Sequence, residues 1–404
     1  MTGWRPSSGP RAAMTRATLL RRVRDYFERS GALEVDTPAL SRYAVSDPQI
    51  ESLAVADSAV SSSPLYLHTS PEFRMKRLLA AGYPDIFSIC RVFRDGEAGQ
   101  RHQPEFTMIE WYRHDFELQA IIDDTLQLIN AALEHEAPST SAVVVDYCDA
   151  LARACGVDAL HAPVEALAAA AHADDGLRAA VGNERDDWID LLLATRVVPT
   201  FAPDRLTVLR HFPATQAALA RQCPSDAQVA DRFEVFLGGV ELANGYVELT
   251  DGAEQSERMR RDNEARRRRG RTIRPVDNSL LDALDAGLPP CAGAAHALDR
   301  VQMEHDSTED IRHVLTICFV DACRLPTTQY SSRRCTRCST TNPTRWPRQA
   351  TSWRSCTTPW TTSTGSVSTC CAVTSWCSAR SRASPPACIS PSTRASAGPP
   401  HRRW

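Results

Sequence analysis

Apolar residues recur at helical spacing in "TRATLLRRVRDYFERSG", where Leu19, Leu20, Val23 and Phe27 share one face and Gly31 supplies a stop. The next apolar stretch, "ALEVDTPAL", is short and closed by Thr37-Pro38, which predicts a strand. "LYLHTSPEF" and "DIFSICRVFR" read as strands separated by a helix over "RMKRLLAAG". "EFTMIEWYRHDF" alternates instead, placing Phe106, Met108, Glu110 and Tyr112 on one side of a strand. Residues 117–135 return to helical spacing, and the alanine-rich region 136–230 is predicted helical with a turn at "HFPATQ". "DRFEVFLGGVELANGYVELTDG" then predicts two strands joined at glycine, followed by a charged helix over "EQSERMRRDNEARRRRG" and by "PPCAGAAHALDRVQM". Strands that neighbour one another in sequence, interspersed with helices, predict an α+β fold with an antiparallel sheet flanked by helices.

That patterning stops near Asp321. Beyond it Ser, Thr, Pro, Arg and Cys dominate, with 12 arginines and neither Asp nor Glu. The expected division is an irregular leader over 1–13, a folded body over 14–321, and a low-complexity tail over 322–404 that is not a packed domain. "CTRC" at 335–338 has metal-site spacing, but no second pair completes a zinc site. The body carries all 49 acidic residues against 34 basic ones, a balance that argues against a general grip on nucleic acid. Five cysteines (Cys90, Cys148, Cys155, Cys223 and Cys291) are scattered singly, as free thiols of a reducing compartment are. With no apolar run of about 20 residues and no signal segment, the expectation is a cytoplasmic protein with no membrane span. Lys76 is the only lysine; arginine in its place elsewhere reads as coding bias.

"RHQPEFTMIEWYR", residues 101–113, puts arginines, glutamates, a histidine and three aromatics side by side. Such a mixture suits a site that holds both an anionic group and a flat ring. Three segments then stand in order: "GALEVDTPAL", "CRVFRDGEAGQRHQPEF" and "CAGAAHALDR", with "SPEF" and "VELANGYVEL" between them. Together they resemble the three motifs of class II aminoacyl-tRNA synthetases. The physics agrees: activating a carboxylate with ATP builds charge on phosphate, which arginines stabilise, and adenine needs a flat partner. The resemblance implies that Arg94 meets the α-phosphate, Phe106 stacks on adenine and Arg300 clamps the terminal phosphates. Asp95, Gly96, Glu97, His102, Gln103, Glu241, Leu242 and Ala297 complete the expected ATP site. Glu241 and Glu248, seven apart in "ELANGYVE", are the expected Mg²⁺ ligands. The alternative for them is two surface glutamates on a sheet edge, and for Asn244-Gly245 a plain turn.

"TSPEFRMKRLLAAG" and "NGYVELTD" are most similar to the lysine-specific branch, which implies that Ser70, Pro71 and Glu72 hold a substrate amino group, with Tyr112 and Glu248 lining the same pocket. Only about 30 residues precede the first motif, so no anticodon-binding domain is expected. The chain resembles instead the truncated branch whose members attach (R)-β-lysine, or lysine, to a lysine of elongation factor P. A homodimer built through the first motif is implied by the same resemblance. The sequence departs from the pattern at Gly96, where an acid is expected and Glu97 follows one place late. It departs again at His296 and Ala297, which stand for leucine and glycine. Charging of tRNA and non-catalytic binding are the competing activities.

Overall fold

The computed structural model describes residues 4–134 and 142–319; the tail and its "CTRC" pair lie outside the described residues. Helix α1 (Pro10–Arg29) buries Leu19, Val23 and Phe27, as their spacing requires. It begins at Pro10, whose fixed φ suits a first helical turn, so the end of the expected leader is helical. Strand β1 (Leu33–Glu34) follows, and a small sheet collects β2 (Leu40–Ser41), β3 (Ala54–Val55) and β4 (Leu65–Leu67) in the order β2-β4-β3. The strand expected over "LYLHTSPEF" is thus only three residues long. Pro71 caps helix α2 (Glu72–Ala80), so the "PEF" of that segment opens a helix instead. A long hairpin, β5 (Ile86–Phe93) and β6 (Glu105–His114), leads to α3 (Leu118–Leu133).

The alanine-rich middle contains β7 (Val143–Asp146), α4 (Tyr147–Cys155), α5 (Val164–Ala170), α6 (Asp175–Val181) and α7 (Arg185–Leu192). It also contains β8 (Leu206–Pro213) and β9 (Gln222–Cys223), where only helices and a turn were expected. Leu209 and Phe212 of β8 are buried between the sheet and these helices and Val208 in the core on the other face, and tertiary packing outweighs the composition around them. β10 (Asp226–Leu237) and β11 (Val240–Val247) form the second hairpin. Its turn is at Gly238-Gly239, with Gly238 at φ +53°. Asn244-Gly245 is therefore not a turn; it lies inside β11. A Cβ on Gly245 would stand 2.7 Å from Ala294 Cβ and 2.8 Å from the Phe233 ring. The chain ends its described course with α8 (Gly252–Arg268), α9 (Asn278–Gly287), β12 (Cys291–Ala297) and α10 (Leu298–His305).

The main sheet runs β1-β5-β6-β12-β11-β10-β8-β7, with β9 beside β10. Its interior pairs are antiparallel, as expected, while the outermost pairs β1·β5 and β7·β8 are parallel. On one face Ile109, Trp111, Ala292 and Ala294 pack with Phe27 of α1 and Ile121, Leu128 and Ile129 of α3. Asp124 of α3 ties this layer together. Its Oδ2 accepts from Trp111 Nε1 and Arg113 Nε, each at 2.9 Å, and its Oδ1 accepts from Tyr26 OH at 2.5 Å. Arg113 is 3% exposed, and without Asp124 its one remaining carboxylate partner among the described residues, Asp85, stands 3.5 Å away while Trp111 Nε1 loses its acceptor. Asp124→Ala is therefore expected to cost about 3–5 kcal/mol. The check is a urea midpoint that falls while the slope holds; a loss below about 1 kcal/mol would show that the apolar contacts carry the layer alone.

Candidate active site

The opposite face of β6 and β12 is where the chemistry collects. Cross-strand partners share a face, and the register pairs Gly293 with Tyr112, Ala295 with Glu110, and Ala297 with Met108. Small residues on β12 thus leave a trough above it, walled by Phe106, Met108, Glu110 and Tyr112 of β6. Phe106 and Glu110 are four residues apart, about 13 Å along a strand. One end of the trough is cationic and aromatic; the other is acidic.

At the first end, Arg94, Glu97, His102, Gln103, Phe106, Glu241, Leu242, Ala297 and Arg300 line a pocket that is open to solvent. The Arg94 guanidinium lies 5.2 Å above the Phe106 ring, a cation–π contact, and 3.8 Å from Glu97. Arg300 donates to the Glu241 carbonyl at 3.0 Å, to its carboxylate at 3.1 Å, and to His102 Nε2 at 2.7 Å. Desolvation and then Arg300 lower the pKa of His102, so it stands as a neutral acceptor. Arg94 Nε and Gln103 Oε1 are buried without a hydrogen-bond partner among the described residues. Orphaned polar atoms beside an aromatic ring fit a nucleotide that brings both oxygens and a base.

Arg300 is itself held from below. Its neighbour Asp299, 1% exposed, accepts from Arg16 of α1 at 2.5 Å and from the Thr107 backbone N–H at 3.0 Å. Arg16 also donates to Thr107 Oγ1 at 2.5 Å. A helix near the start of the chain, the central strand and the last helix are thereby locked in register.

At the second end, Ser70 Oγ donates to Glu110 Oε2 at 2.6 Å and accepts from the Glu72 N–H at 2.9 Å. Tyr112 OH donates to Glu110 Oε1 at 2.7 Å, and Tyr246 OH to Glu72 Oε1 at 2.6 Å. Lys76 Nζ lies 2.7 Å from Glu72 Oε1 and 2.5 Å from Glu248 Oε2. Burial and then Glu72 push Glu110 up to about 7. Burial also raises Glu248, against the pull of Lys76 and with the help of Glu72. Desolvation opposes the charge on Lys76, but Glu248 and Glu72 outweigh it and hold the ammonium protonated. A Cβ on Gly293 would stand 2.5 Å from Tyr112 Cε1 and 2.7 Å from Glu248 Oε1, so only glycine leaves this end open.

The structure gathers most of the expected site but not all of it. Asp95 and Gly96 lie on the exposed loop rather than in the pocket lining. Gly96 takes φ +80°, a conformation glycine adopts freely, and the turn delivers Glu97 to Arg94. Ala297 has φ −82°, which any L-residue adopts, and its methyl packs with Phe106 and Met108. His296 faces the other way, buried with neither ring nitrogen hydrogen-bonded to a side chain, and burial pushes its pKa down to about 4. The expected metal pair is not brought together. Glu248 belongs to Lys76 and Glu241 to Arg300, because seven residues of extended strand span about 23 Å. The carboxylate that feels Glu241 is Glu234, raised to about 7 by burial, with Arg232 opposing and Glu241 adding. Sequence reasoning missed Glu234, Lys76, Tyr246 and Arg16. Glu110 was placed on the right face without a role, although an acid alternating with aromatics was a signal for one.

A family model described as tRNA synthetases class II (D, K and N) matches residues 4–319. A protein of Mannheimia succiniciproducens named elongation factor P--(R)-beta-lysine ligase is 42% identical over 315 residues, 77% of this chain and 96% of that protein. Proteins of the same name from Photorhabdus laumondii and Klebsiella pneumoniae are 41% and 42% identical, covering 79% and 77% of this chain and 98% and 96% of their own.

The raised carboxylates make stability fall with pH. The buried histidines, neutral in the fold, oppose this only in part: an unfolded imidazole is half-charged at about pH 6.5 and has lost its proton by about 7.5. Glu110 and Glu234 at about 7, with Glu248 also raised, keep protons that the unfolded chain has already lost. The native state binds more protons, so unfolding free energy decreases as pH rises. Urea midpoints of the ligand-free protein are expected to drop between pH 6.5 and 8, with Glu110→Gln flattening the slope. A midpoint that rises over this range would show these carboxylates ionised throughout.

Proposed function

We propose the activity from the premise that this chain belongs to the class II tRNA synthetase family of the D, K and N type. It uses ATP to activate a dibasic amino acid of the lysine type and passes the acyl group to a lysine side chain of elongation factor P. The name shared by the relatives supports (R)-β-lysine as the amino acid and elongation factor P as the acceptor. The observation that carries the reading is that one face of β6 joins two unlike ends: an arginine-and-phenylalanine pocket suited to a nucleotide, and four residues along, a buried cluster of carboxylates suited to ammonium groups.

In the first step a carboxylate oxygen of the amino acid attacks the α-phosphorus and pyrophosphate leaves, giving an aminoacyl-adenylate. Arg94 faces the α-phosphate and Arg300 the departing phosphates, where charge-assisted hydrogen bonds strengthen as charge develops. Phe106 stacks on adenine, with His102 and Gln103 at its edge. Ser70, Glu72, Glu110, Tyr112 and Glu248 orient the substrate amines, so the carboxylate points along the trough toward Arg94. In the second step the acceptor ε-amine attacks the acyl carbon, an amide forms, AMP leaves and a proton is released. No protein nucleophile is needed. Magnesium fits beside Glu241, with Glu234 as its neighbouring carboxylate, and would neutralise phosphate charge there. Leu33 and Leu40, 46% and 41% exposed near the first motif, support pairing with a second copy.

The test supplies purified protein with ATP, Mg²⁺ and (R)-β-lysine, and either elongation factor P or bulk tRNA as acceptor. Amino-acid-dependent pyrophosphate release and a mass gain of one lysyl unit on elongation factor P are expected. Arg300→Ala should lower kcat/KM about 10²- to 10³-fold. Charged tRNA with unmodified elongation factor P would overturn the acceptor, and silence with every amino acid would overturn the activity.

A further inference from the structure

Every basic side chain of this 404-residue chain is arginine except one: 45 of the 46 are Arg, and the exception is Lys76. Burial alone does not explain why lysine persists there. Arg266 is 0% exposed and serves well as a buried cation, paired with Glu51 and donating to the Asp47 and Thr272 carbonyls. Position 76 differs in what surrounds it. Its Nζ bridges Glu72, one helical turn earlier, and Glu248, just past the end of β11, at 2.7 and 2.5 Å. The Tyr246 ring closes the third side, 5.6 Å away. A compact ammonium can donate to two carboxylates from one point; a planar guanidinium needs a forked, larger space.

The charge count gives the lysine a purpose. Glu72, Glu110 and Glu248 converge here, and among the described residues Lys76 is the cation ion-paired to them. Resting on the function proposed above, we propose that Lys76 is a positioning residue of the amino-acid pocket. It is an internal ammonium that holds Glu72 and Glu248 in place and, once bound substrate ammonium groups draw the protons from Glu110 and Glu248, cancels one of three buried negative charges. The remaining deficit matches the two amino groups of a dibasic substrate. A single extra cation would leave one carboxylate uncompensated, and without Lys76 a substrate amine would sink into its place, drawing the carboxylate away from Arg94.

The experiment measures amino-acid-dependent pyrophosphate exchange by wild-type protein, Lys76→Ala and the volume-keeping Lys76→Met, with thermal melts as the folding control. Losing one charge-assisted contact raises KM for (R)-β-lysine about 10- to 100-fold, while KM for ATP stays within about twofold because the nucleotide end is untouched. Added n-propylamine should restore the KM of Lys76→Ala, and n-propanol, of the same shape but uncharged, should not. Equal rescue by the alcohol, or an unchanged KM in folded Lys76→Met, overturns the proposal alone. A wild-type protein that exchanges pyrophosphate with no amino acid overturns the function and the proposal together.

Discussion

Strand β6 is buried on both faces, from Phe106 to Arg113 without a break, and this constraint organises the molecule. A doubly buried strand normally reads as a hydrophobic run. Here it carries Glu110 and Arg113, so each charge must be paired on its own side or be costly. On the core side Arg113 is answered by Asp124 of α3, which also takes Trp111 and Tyr26. On the open side Glu110 is answered by Ser70 and Tyr112. Thr107 anchors Asp299, and through it Arg300, from beneath. The site is held rigidly because the same strand is simultaneously its wall and the centre of the core.

The partner strand β12 supplies emptiness. Gly293, Ala295 and Ala297 present almost no side chain to the trough, and at Gly293 a single methyl would collide with Tyr112 and Glu248. The room above β12 is thus set by what it lacks. The charge around it is set by what α2 and β11 bring: a cluster of carboxylates with Lys76 paired to two of them. The departures at positions 96 and 297 are compatible with this design. Gly96 allows a turn that returns Glu97 to Arg94, and Ala297 adopts an unstrained backbone and adds its methyl to the apolar wall beside Phe106.

By itself the sequence determined what depends on near neighbours. The spacing of Leu19, Val23 and Phe27 makes one buried helical face, and alternation along β6 put Phe106, Met108, Glu110 and Tyr112 on one side. The order of three motifs indicated the fold class and most of the residues that line the pocket around Arg94 and Phe106. Tertiary structure decided whatever depends on distant pairing. Thr107 meets Asp299 across 192 positions and Arg16 meets Asp299 across 283, distances over which no local pattern carries information. Strand β8 hid in alanine-rich surroundings because its partners, β7 and β10, decide its state more than its own composition does. Glu241 and Glu248 looked like a pair in the sequence, yet an extended strand separates them and hands one to Arg300 and the other to Lys76. The physical reason is the same in each case. Periodicity reports which face a residue is on, but the charge that neutralises it comes from whichever strand or helix the fold lays beside it.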